Sequence, residues 1–174
     1  LQGDQAPVQE CGVPFGPAHS SLWLRTSAGY CYGGRTDPFA NFFFGGFGNN
    51  WVDHQEVQRY REYYSFPGVE LNEVGGKTYG KAMVEWCLPP LRFQHLGTTQ
   101  CFATWARPGL FVAALATDFD NADFRREVYD VGAQMDFRLV VLSTMNLTVS
   151  LGYAMAFEDG HKPVDEIMIS LKIF

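Results

Sequence analysis

The chain has 174 residues, a formal net charge of -6, 47% hydrophobic residues and 16% aromatic residues. That length fits one domain, and the 13 Lys and Arg are scattered, so no basic cluster for nucleic acid is present. The longest uninterrupted apolar run, Leu110 to Ala116, is far shorter than a membrane-spanning helix requires, so a membrane could be crossed only by strands.

Residues 1–19 carry Pro7, Pro14 and Pro17 among Gly3, Gly12 and Gly16 and read as an irregular lead-in; any secretion signal is expected to lie outside the sequence. From Ser20 to Gly33 the pattern alternates, with Leu22, Leu24, Ala28, Tyr30 and Tyr32 facing away from Arg25, Ser27 and Gly29. Residues 34–38 read as a turn and Phe39 to Phe47 as a further strand. A segment rich in Gly, Asn and aromatic residues follows, giving a long loop at 48–78. Tyr79 to Leu88 resumes the alternation, with Gly80, Ala82, Val84, Trp86 and Leu88 opposite Lys81, Met83 and Glu85, the charged pair facing the wet side. Pro89 and Pro90 are expected to stop that strand, because proline has no amide hydrogen for the ladder. Cys101 to Leu115 reads as a strand interrupted at Pro108, and Thr117 to Arg126 as a polar loop.

The last part of the chain is the most regular. Tyr129, Val131, Ala133, Met135, Phe137, Leu139 and Val141 share one parity, against Asp130, Gly132, Gln134, Asp136 and Arg138. Leu147, Val149, Leu151, Tyr153, Met155 and Phe157 repeat it against Asn146, Thr148, Ser150, Gly152, Ala154 and Ala156. Ile167, Ile169, Leu171 and Ile173 then face away from Met168, Ser170 and Lys172. Strands of soluble domains run about 5 to 6 residues, whereas a tilted strand needs roughly 9 to 11 to cross a bilayer. The expected fold is therefore all-β, an antiparallel transmembrane β-barrel or the carboxy-terminal part of one, over residues 20–174.

With Phe174 at the periplasmic face, residues 158–164, 116–126 and 48–78 become outer loops, and 142–145, 89–100 and 34–38 inner turns. The strand count is odd, whereas complete bacterial barrels have even counts. Either a further strand lies near Val8 to Phe15, or this is the carboxy-terminal portion of a larger barrel, which is the expectation adopted.

Four cysteines leave two readings open. Cys87 could bridge Cys101 and Cys11 could bridge Cys31, as suits an oxidising compartment, or all four could be unpaired thiols. None forms a C-x-x-C pair, so no metal site is expected. With bridges, the alternative fold is a secreted, soluble, disulfide-stapled β-sandwich or small-ligand-binding barrel. No enzyme is expected and no cofactor is implied. His19, His54, His95 and His161 lie in inferred loops without common spacing, and neither a Gly-x-Ser-x-Gly elbow nor a phosphate loop occurs. Asp118, Asp120, Asn121 and Asp123 miss the calcium-loop spacing.

From Phe42 onward the order of parts resembles the carboxy-terminal barrel of the bacterial surface-antigen, or BamA-type, outer-membrane superfamily. The likeness rests on Phe44-Gly45-Gly46-Phe47-Gly48-Asn49-Asn50, then Val57-Gln58-Arg59-Tyr60 and Phe66-Pro67-Gly68 in the long loop, then Gly75-Gly76-Lys77 leading into the strand with Glu85. Pro89, Pro90 and three closing strands ending at Phe174 complete it. The chain is also similar to the barrel that follows β-propeller repeats in some secreted bacterial proteins. The resemblance implies a sixteen-stranded barrel in the bacterial outer membrane, in contact with lipid and completed by upstream strands or other chains. Its role would be protein insertion, translocation or anchoring. It further implies that the long sixth outer loop folds back inside and sets an Arg against acidic lumen residues. Arg59 matches that position and Glu85 is the candidate partner.

Overall fold

The structure, a computed structural model, describes residues 4–5, 9–32, 41–47, 58–121, 124–142 and 144–173. It is all-β, with no α-helix among the described residues. The strands are β1 (Asp4–Gln5), β2 (Gln9–Pro14), β3 (Ser21–Tyr30), β4 (Phe42–Phe44), β5 (Val74–Gly76) and β6 (Thr78–Cys87). They continue with β7 (Leu91–Thr98), β8 (Cys101–Thr117), β9 (Arg126–Val141), β10 (Met145–Glu158) and β11 (Val164–Ile173).

One antiparallel sheet holds all of these but β4 and β5. Both β1 and β2 pair with the edge of β3 that β6 leaves free, so they form a single interrupted column. β6 and β7 likewise share one edge of β8, in line and in the same direction. The sheet is thus a meander of seven columns: β1/β2, β3, β6/β7, β8, β9, β10 and β11. Among the described residues no partner closes it, and β1/β2 and β11 remain as edges.

Four expectations are corrected here. The lead-in contains wall strands, because residues 9–14 pair with 21–26 of β3 despite their glycine and proline content. Phe39 to Phe47 does not supply a wall strand. Among its described residues, Phe42–Phe44 is the strand; it pairs with β5 in a separate two-stranded sheet, while β3 pairs directly with β6. Pro89 and Pro90 interrupt a strand without ending it. Leu88 N–H still bonds Pro108 O at 3.1 Å, β7 resumes at Leu91, and the reversal comes at residues 99–100. Pro108 also stays within β8, where the register shift lies between Ala103 and Trp105 instead. The expected turn at 34–38 falls outside the described residues.

Connections sort by side. Residues 15–20, 99–100 and 142–144 join columns at one end, and 31–77, 118–125 and 159–163 at the other. Side chains sort by face just as sharply. On β9 and β10 the small and polar set is buried: Asp130, Gln134, Asp136, Thr148, Ser150, Ala154 and Ala156. The large apolar set is exposed: Tyr129, Val131, Met135, Leu151, Tyr153 and Phe157. On β11, Ile167 and Ile169 are 73% and 75% exposed. The usual order of a soluble sheet is inverted, because the core lies between the polar face and residues 41–47 and 58–77 folded onto it.

Candidate functional site

Residues 41–47 and 58–77, the described parts of the segment between β3 and β6, pack rings onto a strip of small residues. Tyr60 stacks on Phe111 of β8 with centroids 4.2 Å apart at 18°, and Phe47 meets the same ring edge-on at 6.1 Å. The strip leaves room for nothing larger: a Cβ added at Gly109 would stand 2.9 Å from the Tyr60 hydroxyl, and one at Gly152 2.8 Å from the Phe47 ring. Gly68, at φ +84, lies against Ala156, where a Cβ would come within 2.6 Å of a backbone nitrogen. Only glycine meets both demands there.

Within the segment, a single 3-10 turn at Arg59–Arg61 is closed by Arg61 N–H to Gln58 O at 2.9 Å, and Ser65 Oγ caps it by donating to Tyr60 O at 2.7 Å. This turn delivers two side chains to Glu85 of β6. Arg61 donates from Nε to Oε2 at 2.9 Å and from Nη2 to Oε1 at 2.5 Å. The Tyr60 hydroxyl donates to Oε1 at 2.8 Å, and so does the Cys87 thiol at 2.8 Å. Glu85 is completely buried, and these donors fill most of its acceptor sites, as a buried carboxylate requires. Arg25 of β3 brings its Nε to 3.4 Å from Oε2 while pairing outward with Glu10 of β2. A charge-alternating row, Glu10, Arg25, Glu85, Arg61, thereby links the edge column to the loop. Burial, together with the neighbouring Glu85 charge, raises the Tyr60 phenol well above its ordinary pKa, so it remains a donor.

Of the pair read from sequence, Glu85 can be placed. Glu85 is the acceptor, and the guanidinium that meets it belongs to Arg61; Arg59 begins the turn, and its side chain lies outside the described residues. The parity of Lys81, Met83 and Glu85 was readable as a polar face, but the covering of that face was not. Lys81 is buried too, and its ammonium donates to the carbonyls of Ser65 and Tyr63.

Two further contacts hold the segment. At the end with long connections, Arg126 of β9 binds Glu158 of β10 through Nε at 2.6 Å and Nη2 at 2.7 Å and donates to Glu73 O at 3.1 Å. On β11, the Glu166 carboxylate accepts the backbone N–H of Gly68 at 3.0 Å and of Phe47 at 3.3 Å. Neither contact was anticipated from sequence; in the second the donors are main-chain amides, which leave no side-chain signature.

The cysteines are all free, which corrects the disulfide reading. Cys87 lies opposite Gly109, eight residues along β8 from Cys101 or about 27 Å, whereas a disulfide needs Cα atoms within about 7 Å. Cys11 lies opposite Leu24, and Cys31 is seven residues further on, about 24 Å away. A disulfide-stapled sandwich is not formed: the second sheet, β4–β5, belongs to the segment that covers the polar face, leaving the apolar face bare. His95 stands on β7, not in a turn, and no metal-binding cluster occurs among the described residues.

Comparison of this chain with protein families, with curated proteins and with solved structures returns no match.

Proposed function

We propose that this chain is the carboxy-terminal wall of a transmembrane β-barrel in the bacterial outer membrane, of the surface-antigen, BamA-like kind. The observation that carries the reading is the inverted sheet, with large apolar side chains exposed on one face and a polar, small-residue face filled by a folded-in loop. Water would oppose such an arrangement, since an exposed apolar patch of this extent marks a surface that contacts something apolar. Lipid would supply that contact.

Dimensions agree. The outward apolar set of β10 runs from Leu147 to Phe157, about 34 Å along a strand, which at a tilt of about 40° spans roughly 26 Å, close to the ~25 Å apolar band of such barrels. Exposed aromatics Tyr30, Tyr129, Phe119, Phe124 and Phe157 gather near the end with long connections, where a headgroup girdle would sit. Short turns at one end and long connections at the other repeat the periplasmic and outer asymmetry.

Direction and order support the partial-barrel reading. Across seven antiparallel columns, β1/β2 and β11 run the same way, so antiparallel closure needs an odd number of additional strands. The resemblance puts the folded-in loop directly before a run of antiparallel wall strands, and here it precedes β6/β7, β8, β9 and β10 in that order.

The role proposed is insertion, translocation or anchoring of polypeptides at the outer membrane, with lipid and the strands completing the barrel as partners. The test is gel mobility of the membrane-extracted chain, boiled and unboiled, beside its fractionation. A heat-dependent shift in outer-membrane material is expected. A chain recovered in soluble material with no shift would sink the reading.

A further inference from the structure

We propose that Glu166 is a positioning residue, a clasp through which the folded-in loop holds the otherwise free edge strand β11. Among the described residues, β11 has a strand neighbour on one side only, β10. Its second attachment is to the loop. The Glu166 carboxylate accepts the amide hydrogens of Phe47 and Gly68, two residues brought together because Phe66 N–H bonds Gly46 O at 2.9 Å and Gly46 N–H bonds Val69 O at 2.9 Å. Met168, two positions along on the same face, packs against the loop core; its methyl and the Phe47 ring both close over Gly152.

The geometry makes the loop a cross-brace. One end is fixed at β6 by Arg61 and Glu85 and the other at β11 by Glu166, with β8, β9 and β10 lying between. A carboxylate suits this clasp because it can receive two backbone donors whatever side chains the loop carries, and hydrogen bonds to an ionised acceptor are the stronger kind. Glu166 pairs with Ala154, near the start of β11, so the brace reaches the half of the strand beside the long connections. Seating of the loop and pairing of the closing edge are thereby one equilibrium. Loss of either loop anchor raises the opening of β11 in its first half.

What that edge meets rests on the barrel reading, but the clasp does not. The experiment is amide hydrogen exchange on the full chain in detergent, comparing the parent with Glu166→Gln and with Arg61→Lys, which weakens the brace at its far end while keeping the charge. In Glu166→Gln, exchange at Phe47, Gly68 and residues 164–168 is expected to rise together by roughly 10- to 100-fold, the range expected when a hydrogen bond to a charged group is lost, with the β8–β9 ladder unchanged. Arg61→Lys is expected to raise exchange at 164–168 as well, with Glu166 intact. Protection of 164–168 that stays at the parent level in both variants would overturn the clasp. So would loosening of 164–168 in Glu166→Gln while Phe47 and Gly68 keep their protection, which would place the effect in β10–β11 pairing. Should Glu166→Gln fail to fold, Arg61→Lys decides alone. A missing heat shift in the parent chain would instead count against the barrel and leave the exchange result standing.

Discussion

Arg61 grips Glu85 with two nitrogens, Nε on Oε2 at 2.9 Å and Nη2 on Oε1 at 2.5 Å, and thereby pins a loop to a carboxylate that has no exposure at all. Removing the guanidinium leaves that charge buried with only Tyr60, Cys87 and the poorly aligned Arg25 beside it. Arg61→Ala is expected to lower stability by about 3–5 kcal/mol, the usual cost of breaking one partner out of a buried pair. Arg61→Lys should recover part of this, because an ammonium keeps the charge but cannot match both carboxylate oxygens. Denaturant midpoints and the rate of protease cleavage between residues 58 and 73 measure it. An Arg61→Ala chain as resistant as the parent would show that the pair holds nothing.

Tyr60 separates ring from hydroxyl. Tyr60→Phe keeps the stack on Phe111 but removes one donor from a buried carboxylate, an expected loss of about 1–3 kcal/mol. Tyr60→Ala loses the stacked ring as well and should cost clearly more. Equal losses for the two variants would mean that the stack contributes nothing.

The strip of small residues gives a steric test. Gly152→Val would force a branched side chain into the Phe47 ring, and Gly68→Ala would strain a backbone at φ +84 already touching Ala156. Each is expected to destabilise by about 1–3 kcal/mol and to expose the loop to protease. Ala133→Val, on the exposed face of β9, serves as the control and should stay within about 0.5 kcal/mol in detergent.

Parity made β9, β10 and β11 legible, because alternation records which side chains share a face regardless of what covers that face. It could not say that Glu85 and Lys81, both read as wet, are roofed by a loop 20 or so positions away in sequence. Proline and glycine misled in two places for the same reason. They weaken a ladder locally, yet β2 and β7 pair with long neighbours whose registers tolerate a gap. Arg61 meets Glu85 two positions beyond the Arg59 that the resemblance implies, because a 3-10 turn presents Tyr60 and Arg61 together. The carboxylate on β11 was beyond reach of sequence, since its partners are main-chain amides.

Thiol chemistry follows from the strand registers. Cys11 and Cys101 are exposed and Cys31 and Cys87 buried, all four free. Detergent-solubilised protein is expected to take up a maleimide quickly at two sites and at the other two only on unfolding. Reducing agent should leave the unfolding midpoint unchanged, whereas a native bridge would carry about 2–4 kcal/mol. A drop in midpoint on reduction would restore the disulfide reading.

Leu151 and Phe157 test what lies against the outer face. Both are exposed, at 44% and 41%, and both point away from the loop, Leu151 near the middle of the apolar set of β10 and Phe157 near its end. In water, replacing an exposed leucine by arginine changes stability by no more than about 0.5 kcal/mol. At a bilayer midplane the same change costs about 2–4 kcal/mol, falling to about 0–1 near the interface. Leu151→Arg is therefore expected to be costly in lipid vesicles and Phe157→Arg nearly neutral, and the difference should shrink in detergent, where the hydrocarbon is thinner and more yielding. Depth dependence is the decisive feature, because a protein partner covering the same face would penalise both positions without regard to their distance from a midplane. Unfolding titrations of the two variants in vesicles read it directly. Equal, small costs at Leu151 and Phe157 would mean that the apolar face meets water, and equal, large ones that it meets another protein.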